Sequence, residues 1–401
     1  MPRNAIAGGL AIGALVLLAF NLRLIFPSLS VLLPEITRTS GISAATAGYV
    51  TALPMICLGV FAPIAPICVH RFGIERTLVV ALLGLTAGTA LRGFHGLHGL
   101  VLGSLLAGAC IAVCNVLLPV LVRRDFSGRV ALVTALYVTS MNLGSAAAAA
   151  LTIPLIRALD LAWSSGLALW ALPVALASAL WLPWLKRRPD RRGGTYASGD
   201  VWRNRLAWQV TIYMGLQSSM AYTVLGWMAP ILRERGMDPA TAGLVTSACI
   251  VANLAGNLLA PAVIKRAPDQ RLLSLALALA CGLPLTGLLI APVAWAFPLS
   301  LVQGLAQGAT FSTVLTIIVL RSPNTETATL LSGMTQSAGY TIGALVPLLI
   351  GLIHHWTGSF TGVLWLLVFV TLGTALSGWS AGRNRYVVLP GGSSPAVSTP
   401  H

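Results

Sequence analysis

Long apolar runs, each about the length of a bilayer crossing, alternate with short polar breaks along the whole chain. A hydrocarbon core needs about 20 apolar residues per helix. At that length the sequence divides into twelve predicted spans: 6–33, 43–68, 77–92, 99–122, 130–157, 162–185, 206–232, 239–263, 272–291, 295–320, 328–353 and 359–381. The runs are continuously apolar, not alternating residue by residue, so they predict helices and not barrel strands. The first run extends from Ala5 to Leu33, beyond the length of a leader peptide, and lacks a small-x-small cleavage site, so it reads as the first span.

The two halves of this pattern are related. An offset of 195 residues aligns Gly41 with Gly236 and Ala45-Thr46-Ala47-Gly48 with Ala240-Thr241-Ala242-Gly243. The same offset pairs Val50-Thr51 with Val245-Thr246, Ala65-Pro66 with Ala260-Pro261, Arg71 with Arg266 and Arg76 with Arg271. An unbroken register across two spans and their loops implies duplication. In a multispan protein, duplication points to alternating access with a substrate held between the repeats. The expected architecture is an all-α membrane protein of two pseudo-symmetric six-helix bundles, 1–185 and 206–385. A basic linker, 186–205, joins them, and a tail of disordered composition, 386–401, follows.

Composition strengthens this picture. Hydrophobic residues make up 56% of the 401 and charged residues 9%, against about 25% charged in soluble domains. The mean hydropathy is +0.85. The net charge of +15 is spread over short loops, whereas a nucleic-acid groove needs a concentrated basic surface, so no nucleic-acid partner is expected. The basic residues instead report orientation. Arg3, Arg71, Arg76, Arg123, Arg124, Arg129, the Lys186–Arg205 linker, Lys265, Arg266, Arg271, Arg321, Arg383 and Arg385 share one face. Arg38, Arg92, Arg157, Arg233 and Arg235 are the few on the other. Both termini are therefore expected in the cytoplasm, with the chain in the inner (plasma) membrane.

All six cysteines lie in apolar stretches without metal spacing. No P-loop is present, and no carboxylate cluster at membrane depth suits a Mg²⁺-dependent transferase. Neither cofactor nor metal nor enzymatic activity is expected.

The order of spans, the basic central loop and the basic loops after spans 2 and 8 resemble the major facilitator superfamily. Its signature after span 2 is similar to Pro66-Ile-Cys-Val-His70-Arg71-Phe-Gly73-Ile-Glu75-Arg76, with His70 where the family has Asp. The resemblance implies a gating loop of His70, Arg71, Gly73 and Arg76. Within the superfamily the chain resembles the cyanate-permease and 2-nitroimidazole-transporter group. The matching pieces are Asn21-Leu22-Arg23, Thr51-Ala52-Leu53-Pro54, Trp170-Ala171-Leu172-Pro173, Tyr222 with Trp227, and Gln336 with Gly339-Tyr340. Leu24 stands where that group has Pro. The resemblance implies a carrier for a small anionic or polar planar solute, expected to act as a monomer in the lipid bilayer. A multidrug or metabolite exporter of the same superfamily is the alternative.

Arg23 is the clear charge inside a span. Such a residue costs roughly 2.5–3.5 kcal/mol at a helix centre and must face the interior. No Asp or Glu lies within a span, so its expected partner is an anionic or strongly polar substrate; the alternative is a structural Arg bonded to carbonyls at the Pro27 kink. Asn21, Tyr49, Asn115, Gln217, Asn253, Gln303, Gln307, Gln336 and Tyr340 are the polar candidates beside it. Amides suit an oxyanion or nitro group, and equally suit bonding between membrane helices. In the resembling superfamily spans 1, 4, 7 and 10 line the path, which favours Asn115, Gln217, Gln303 and Gln307. Tyr222 and Trp227 read either as a stacking wall or as an interfacial aromatic belt. Arg92 and Arg157 read as snorkelling or as anion attractors at the outer helix ends. His95, His98, His354 and His355 read as solvated turn residues.

Overall fold

The computed structural model describes residues 2–41, 43–94, 96–126, 129–186, 201–264, 269–323 and 325–387. Among these the chain is helical and no strand is present. The helices are α1 (Pro2–Asn21), α2 (Ile25–Ser40), α3 (Ala44–Phe61), α4 (Ile64–Phe72), α5 (Ile74–Leu91), α6 (Gly96–Asp125), α7 (Val130–Ala158), α8 (Trp163–Leu169), α9 (Ala171–Trp181), α10 (Arg205–Glu234), α11 (Pro239–Ile264), α12 (Arg271–Ile290), α13 (Ala296–Leu320), α14 (Thr325–Thr357) and α15 (Leu364–Ala381). The pairs α1–α2, α3–α4 and α8–α9 each make one span, so these helices form twelve.

Proline places all three interruptions. An imide nitrogen cannot donate to the carbonyl four residues earlier, and its ring crowds that carbonyl. Pro27 thus frees the carbonyl of Arg23, Pro66 that of Ala62 and Pro173 that of Leu169, and the helices break at or beside these positions. Among the described residues ten stretches are long and apolar enough to cross a membrane, and Thr46–Phe61 is a shorter apolar helix. α10 is not among them: Thr211, Gln217, Ser218, Ser219 and Thr223 are all buried along it, because its neighbours are helices more than lipid.

Lys186 and Val201 bracket the connection between the sixth and seventh spans and mark what we call the linker face; the opposite one is the far face. Across the two repeats, α3 packs on α14 and α7 on α11. Glycines set the approach: a Cβ on Gly48 would stand 2.6 Å from Cα of Gly351, and one on Gly243 would stand 2.4 Å from the Ala149 carbonyl. Both contacts lie toward the far face.

Most of the expected linker, 187–200, and of the tail, 388–401, lies outside the described residues, as do His95, Lys265 and Arg266. Asn204 caps α10, its Oδ1 accepting from the N–H of Leu206 at 2.9 Å and of Ala207 at 3.1 Å. Val387, inside the segment expected to be disordered, is buried and donates its N–H to the Arg321 carbonyl at 2.8 Å.

At the loop after α4, Gly73 takes φ +84° and its N–H closes the helix on the Val69 carbonyl at 2.8 Å. His70, Arg71 and Arg76 are exposed, and Arg71 lies 5.5 Å from the Phe72 ring centre. The buried charge of this loop is Glu75, 3% exposed and paired with Arg124 at 2.9 Å.

Candidate functional site

The break between α1 and α2 positions the central arginine. Leu22 N–H bonds back to the Ala19 carbonyl at 3.1 Å, a tightened last turn, and Ser28 N–H resumes the helical pattern on Leu24 at 3.3 Å. Asn21 locks the turn from behind: its Nδ2 donates to the Leu17 carbonyl at 2.7 Å and to the Pro173 carbonyl at 3.2 Å. The broken spans 1 and 6 are therefore joined at their breaks. Arg23, between them, faces a cavity of about 250 Å³ at the junction of the two repeats.

The cavity reaches Pro119, Thr134 and Leu315, near the linker-face ends of α6, α7 and α13. Toward the far face it is closed by α2, α7, α10 and α11. Asn115, Gln217, Tyr222, Asn253, Gln307, Gln336 and Tyr340 join Arg23 in its wall. Among the described residues no carboxylate lines it, and no hydrogen bond or ion pair engages the Arg23 guanidinium.

Two phenols stand near that cation. Tyr222 packs on Phe26 at 5.6 Å between ring centres and edge-on against Tyr340 at 6.2 Å. Both line the same cavity as Arg23. The amides fall into two groups. Gln307 is saturated: its Nε2 donates to the Gln217 carbonyl at 3.0 Å and Gln217 Oε1 at 2.8 Å, and its Oε1 accepts the Cys281 thiol at 2.8 Å. Gln303 Oε1 likewise accepts the Cys249 thiol at 2.9 Å. Asn253 accepts from Asn257 Nδ2 at 3.1 Å through Oδ1, and Gln336 Nε2 donates to Ser332 at 3.1 Å. These two keep capacity on the side facing the cavity.

Four sequence candidates are not brought to this cavity, the first being Gln303, which is fully buried behind it. Asn21 is fully buried behind the break, holding the two carbonyls named above. Tyr49 is 46% exposed on the outside of α3, so a helical position read from residue type alone had the wrong face. Trp227 is buried toward the far face, its Nε1 donating to the Pro347 carbonyl at 3.0 Å and its ring 5.5 Å from Phe360. Neither Tyr222 nor Trp227 forms an interfacial belt, since both are buried between helices.

Other expectations change as well. Arg92 neither snorkels nor faces a vestibule: it is fully buried, with Nη2 donating to the Ile25 carbonyl at 3.0 Å. Arg157 pairs with Asp238 at 3.1 Å. His354 is not a free turn residue, since it bonds Glu234 at 2.7 Å and stacks on Phe360 at 4.2 Å. Tyr137, Met141, Met214 and Phe311 also line the cavity wall. Apolar side chains of this kind carry no sequence signal that separates cavity lining from core.

The family model for the Major Facilitator Superfamily matches residues 10–347 and, again, 212–389. The chain belongs to the Major Facilitator Superfamily. It is 35% identical to the uncharacterized transporter YycB of Bacillus subtilis (strain 168), over 94% of each chain. It is 34% identical to the 2-nitroimidazole transporter of Escherichia coli (strain K12), over 94% of this chain and 96% of that one. The cyanate transport protein CynX of the same organism is 29% identical over 86% and 90%. Among solved structures, a bacterial homolog of the human lysosomal transporter Spinster, in an inward-facing and occupied conformation, aligns with a TM-score of 0.75 at 14% identity, covering 96% of this chain and 98% of that one. The D-xylose–proton symporter aligns at 0.73 and 15%, covering 94% and 98%. These two likenesses establish the fold. As a member of this superfamily the chain is a multi-pass membrane transporter of small solutes.

Proposed function

We propose that the chain carries a small anionic or polar planar solute across the inner membrane, with Arg23 as its principal anchor. The observation that carries this reading is the Arg23 guanidinium, held at the proline break, open to the cavity and unpaired among the described residues. A cation held at membrane depth without a counter-ion is unfavourable. An anion entering the cavity supplies what the protein withholds, and a planar guanidinium offers it two parallel N–H donors. Tyr222 and Tyr340 add aromatic walls and hydroxyls, and Asn115, Asn253 and Gln336 add hydrogen bonds around the rim. The relatives named for 2-nitroimidazole and cyanate support a small, flat or linear, electron-rich solute.

The basic residues gathered on the linker face favour cytoplasmic termini. The cavity, reaching toward that face, is then open inward, and the far-face ion pairs Arg157–Asp238 and Arg233–Glu35, which join the two repeats, seal the outside. Transport alternates this state with one in which those pairs part.

The test is binding and melting temperature on one preparation of full-length protein, with sodium cyanate and 2-nitroimidazole as probes. Arg23→Ala should lose binding by roughly 30-fold to several thousand-fold, the usual consequence of truncating a buried charged partner. Arg23→Lys should keep part of it, and neither should lower the stability of the empty carrier appreciably. Near-native affinity in Arg23→Ala would sink the reading.

A further inference from the structure

Behind Arg23, on the far-face side of the main cavity, lies a second and much smaller chamber of about 30 Å³. It is bounded by both repeats: Arg23 and, on α7, Asn142 and Ser145 from one; Val224, Asn253 and Gln303 from the other. One water-sized group needs about 10–15 Å³ for its centre, so the chamber takes roughly two. It is too tight for a branched or cyclic group.

Its chemistry is unusual for so buried a place. Ser145 is 1% exposed, its Oγ has no hydrogen-bond partner, and it borders the chamber. A buried hydroxyl left unpaired is disfavoured and calls for an explanation in a native structure. Arg23 borders the same chamber with its donors unclaimed. Around them, Asn142 Nδ2 donates to the Val138 carbonyl at 3.0 Å, Gln303 Oε1 accepts from Cys249, and Asn253 Oδ1 accepts from Asn257, which leaves Asn253 Nδ2 uncommitted. The donors left free at the chamber are thus the Ser145 O–H, the Arg23 guanidinium and the Asn253 amide, and no carboxylate lines it.

We propose that this chamber seats the unbranched anionic end of the substrate, a group of two or three heavy atoms such as the terminus of a linear triatomic anion, and that Ser145 is a specificity-determining residue touching it. The inference rests on the Arg23 reading and narrows it. The main cavity admits the solute, while the chamber accepts only an end thin enough to pass Arg23. Because its walls come from α7 of one repeat and α10, α11 and α13 of the other, a group seated there also bridges the two repeats where they close the far face.

The experiment measures dissociation constants of sodium cyanate and sodium azide for the purified full-length protein and its variants, with melting temperatures of the empty forms. Ser145→Ala should weaken both anions about 10- to 100-fold, the usual worth of a hydrogen bond to a charged group. Ser145→Val, which fills the chamber, should abolish measurable binding. Val224→Ile, filling it from the other repeat, should do the same and guards against a Ser145 variant that fails to fold. Melting temperatures of the Ser145 variants should stay level or rise, since an unpaired hydroxyl is removed. Loss of both anions in Arg23→Ala, with undiminished binding in Ser145→Val and Val224→Ile, would overturn the chamber and leave the Arg23 reading standing. Undiminished binding in Arg23→Ala would overturn both.

Discussion

Arg233 grips Glu35 with both ends of its guanidinium, Nη1 to Oε2 at 2.6 Å and Nη2 to Oε1 at 2.7 Å, and Nη1 also reaches the Val31 carbonyl at 2.9 Å. One residue stands on α10 and the other on α2, so this fork fastens the two repeats at the far face. Forked Arg–carboxylate contacts are the stronger and geometrically more demanding kind of ion pair. Both side chains are mostly shielded, at 15% and 27% exposure, which places the pair above the near-zero worth of fully exposed ones.

Glu35→Gln keeps the shape and removes the charge, so it should favour the state open at the far face. A loss of about 1–2 kcal/mol, the scale of a charge-assisted hydrogen bond, shifts that equilibrium roughly 5- to 30-fold. In a cysteine-free background carrying Val224→Cys, buried beneath the far face, a membrane-impermeant thiol reagent added outside cells should react faster by that factor. An unchanged labelling rate would show that the fork does not hold the face shut.

A second tie crosses the same face, Arg157 Nη2 to Asp238 Oδ1 at 3.1 Å, and it has a pH signature. Asp238 is held below the usual carboxylate range, first by the hydrogen bond from Arg157 and then by the backbone N–H groups of Thr241 and Ala240. The N–H contacts cap α11 and persist when the repeats part, so only the Arg157 share reports closure. For a depressed carboxylate the stabilisation is complete above its ordinary pKa, about 3.9, and is lost as pH falls through the lower value in the closed state. Far-face labelling, corrected at each pH for the thiolate fraction of a permanently exposed reference cysteine, should therefore be flat from pH 8 to 5 and increase only below about 4. Asp238→Asn should remove that acid-side increase; an Asp238→Asn carrier with the same acid response would assign it elsewhere.

The architecture was legible because span length, continuous apolarity and loop charge are one-dimensional properties. The three breaks were legible in principle too, since Pro27, Pro66 and Pro173 each sit just after one. Arg23 stood out as a charge in an apolar run, and the structure brings it into the cavity with Asn115, Gln217, Tyr222, Asn253, Gln307, Gln336 and Tyr340. What the sequence withheld is direction around the helix axis. Tyr49 and Trp227 have the right chemistry on the wrong faces, because a helix ringed by lipid on one side and helices on the others shows no clean polar stripe. Arg92 was misread because a helix end in sequence need not be a surface in space. Ser145 was invisible: a hydroxyl at the head of the Ala146–Ala150 run resembles ordinary small-residue packing.

Arg92 offers a contrast within the first repeat. It is fully buried, makes its one hydrogen bond to the Ile25 carbonyl, and leaves Nε and Nη1 without partners. Replacing a poorly satisfied buried charge with an apolar side chain of similar volume is often neutral or stabilising. Arg92→Met should therefore hold or raise the melting temperature. Arg92→Ala should lower it, because the cavity left by a long side chain costs about 2–5 kcal/mol in comparable core truncations. A fall with Met as large as that with Ala would mean that the single bond to Ile25 outweighs the two orphaned donors.

Arg321 should behave in the opposite way, and the difference lies wholly in its partners. It is 3% exposed at the linker-face end of α13, yet its donors are spoken for. Nη2 bonds Gln270 Oε1 at 2.5 Å and the Gly382 carbonyl at 2.9 Å, Nε bonds the Ala381 carbonyl at 3.3 Å and Nη1 reaches Asn384 Oδ1 at 3.4 Å. One side chain thus collects the start of α12, the end of α15 and the segment after it, while its own carbonyl receives the Val387 N–H. Removing it strands several buried acceptors at once, each worth about 1–3 kcal/mol when left unpaired. Arg321→Met, which keeps the volume, should cost about 2–4 kcal/mol and lower the melting temperature by several degrees. Arg321→Lys should recover only part, because a single ammonium cannot span the same set of acceptors. Comparing Arg92→Met with Arg321→Met holds the substitution constant and varies only hydrogen-bond satisfaction, so equal effects on melting temperature would refute this account of both residues.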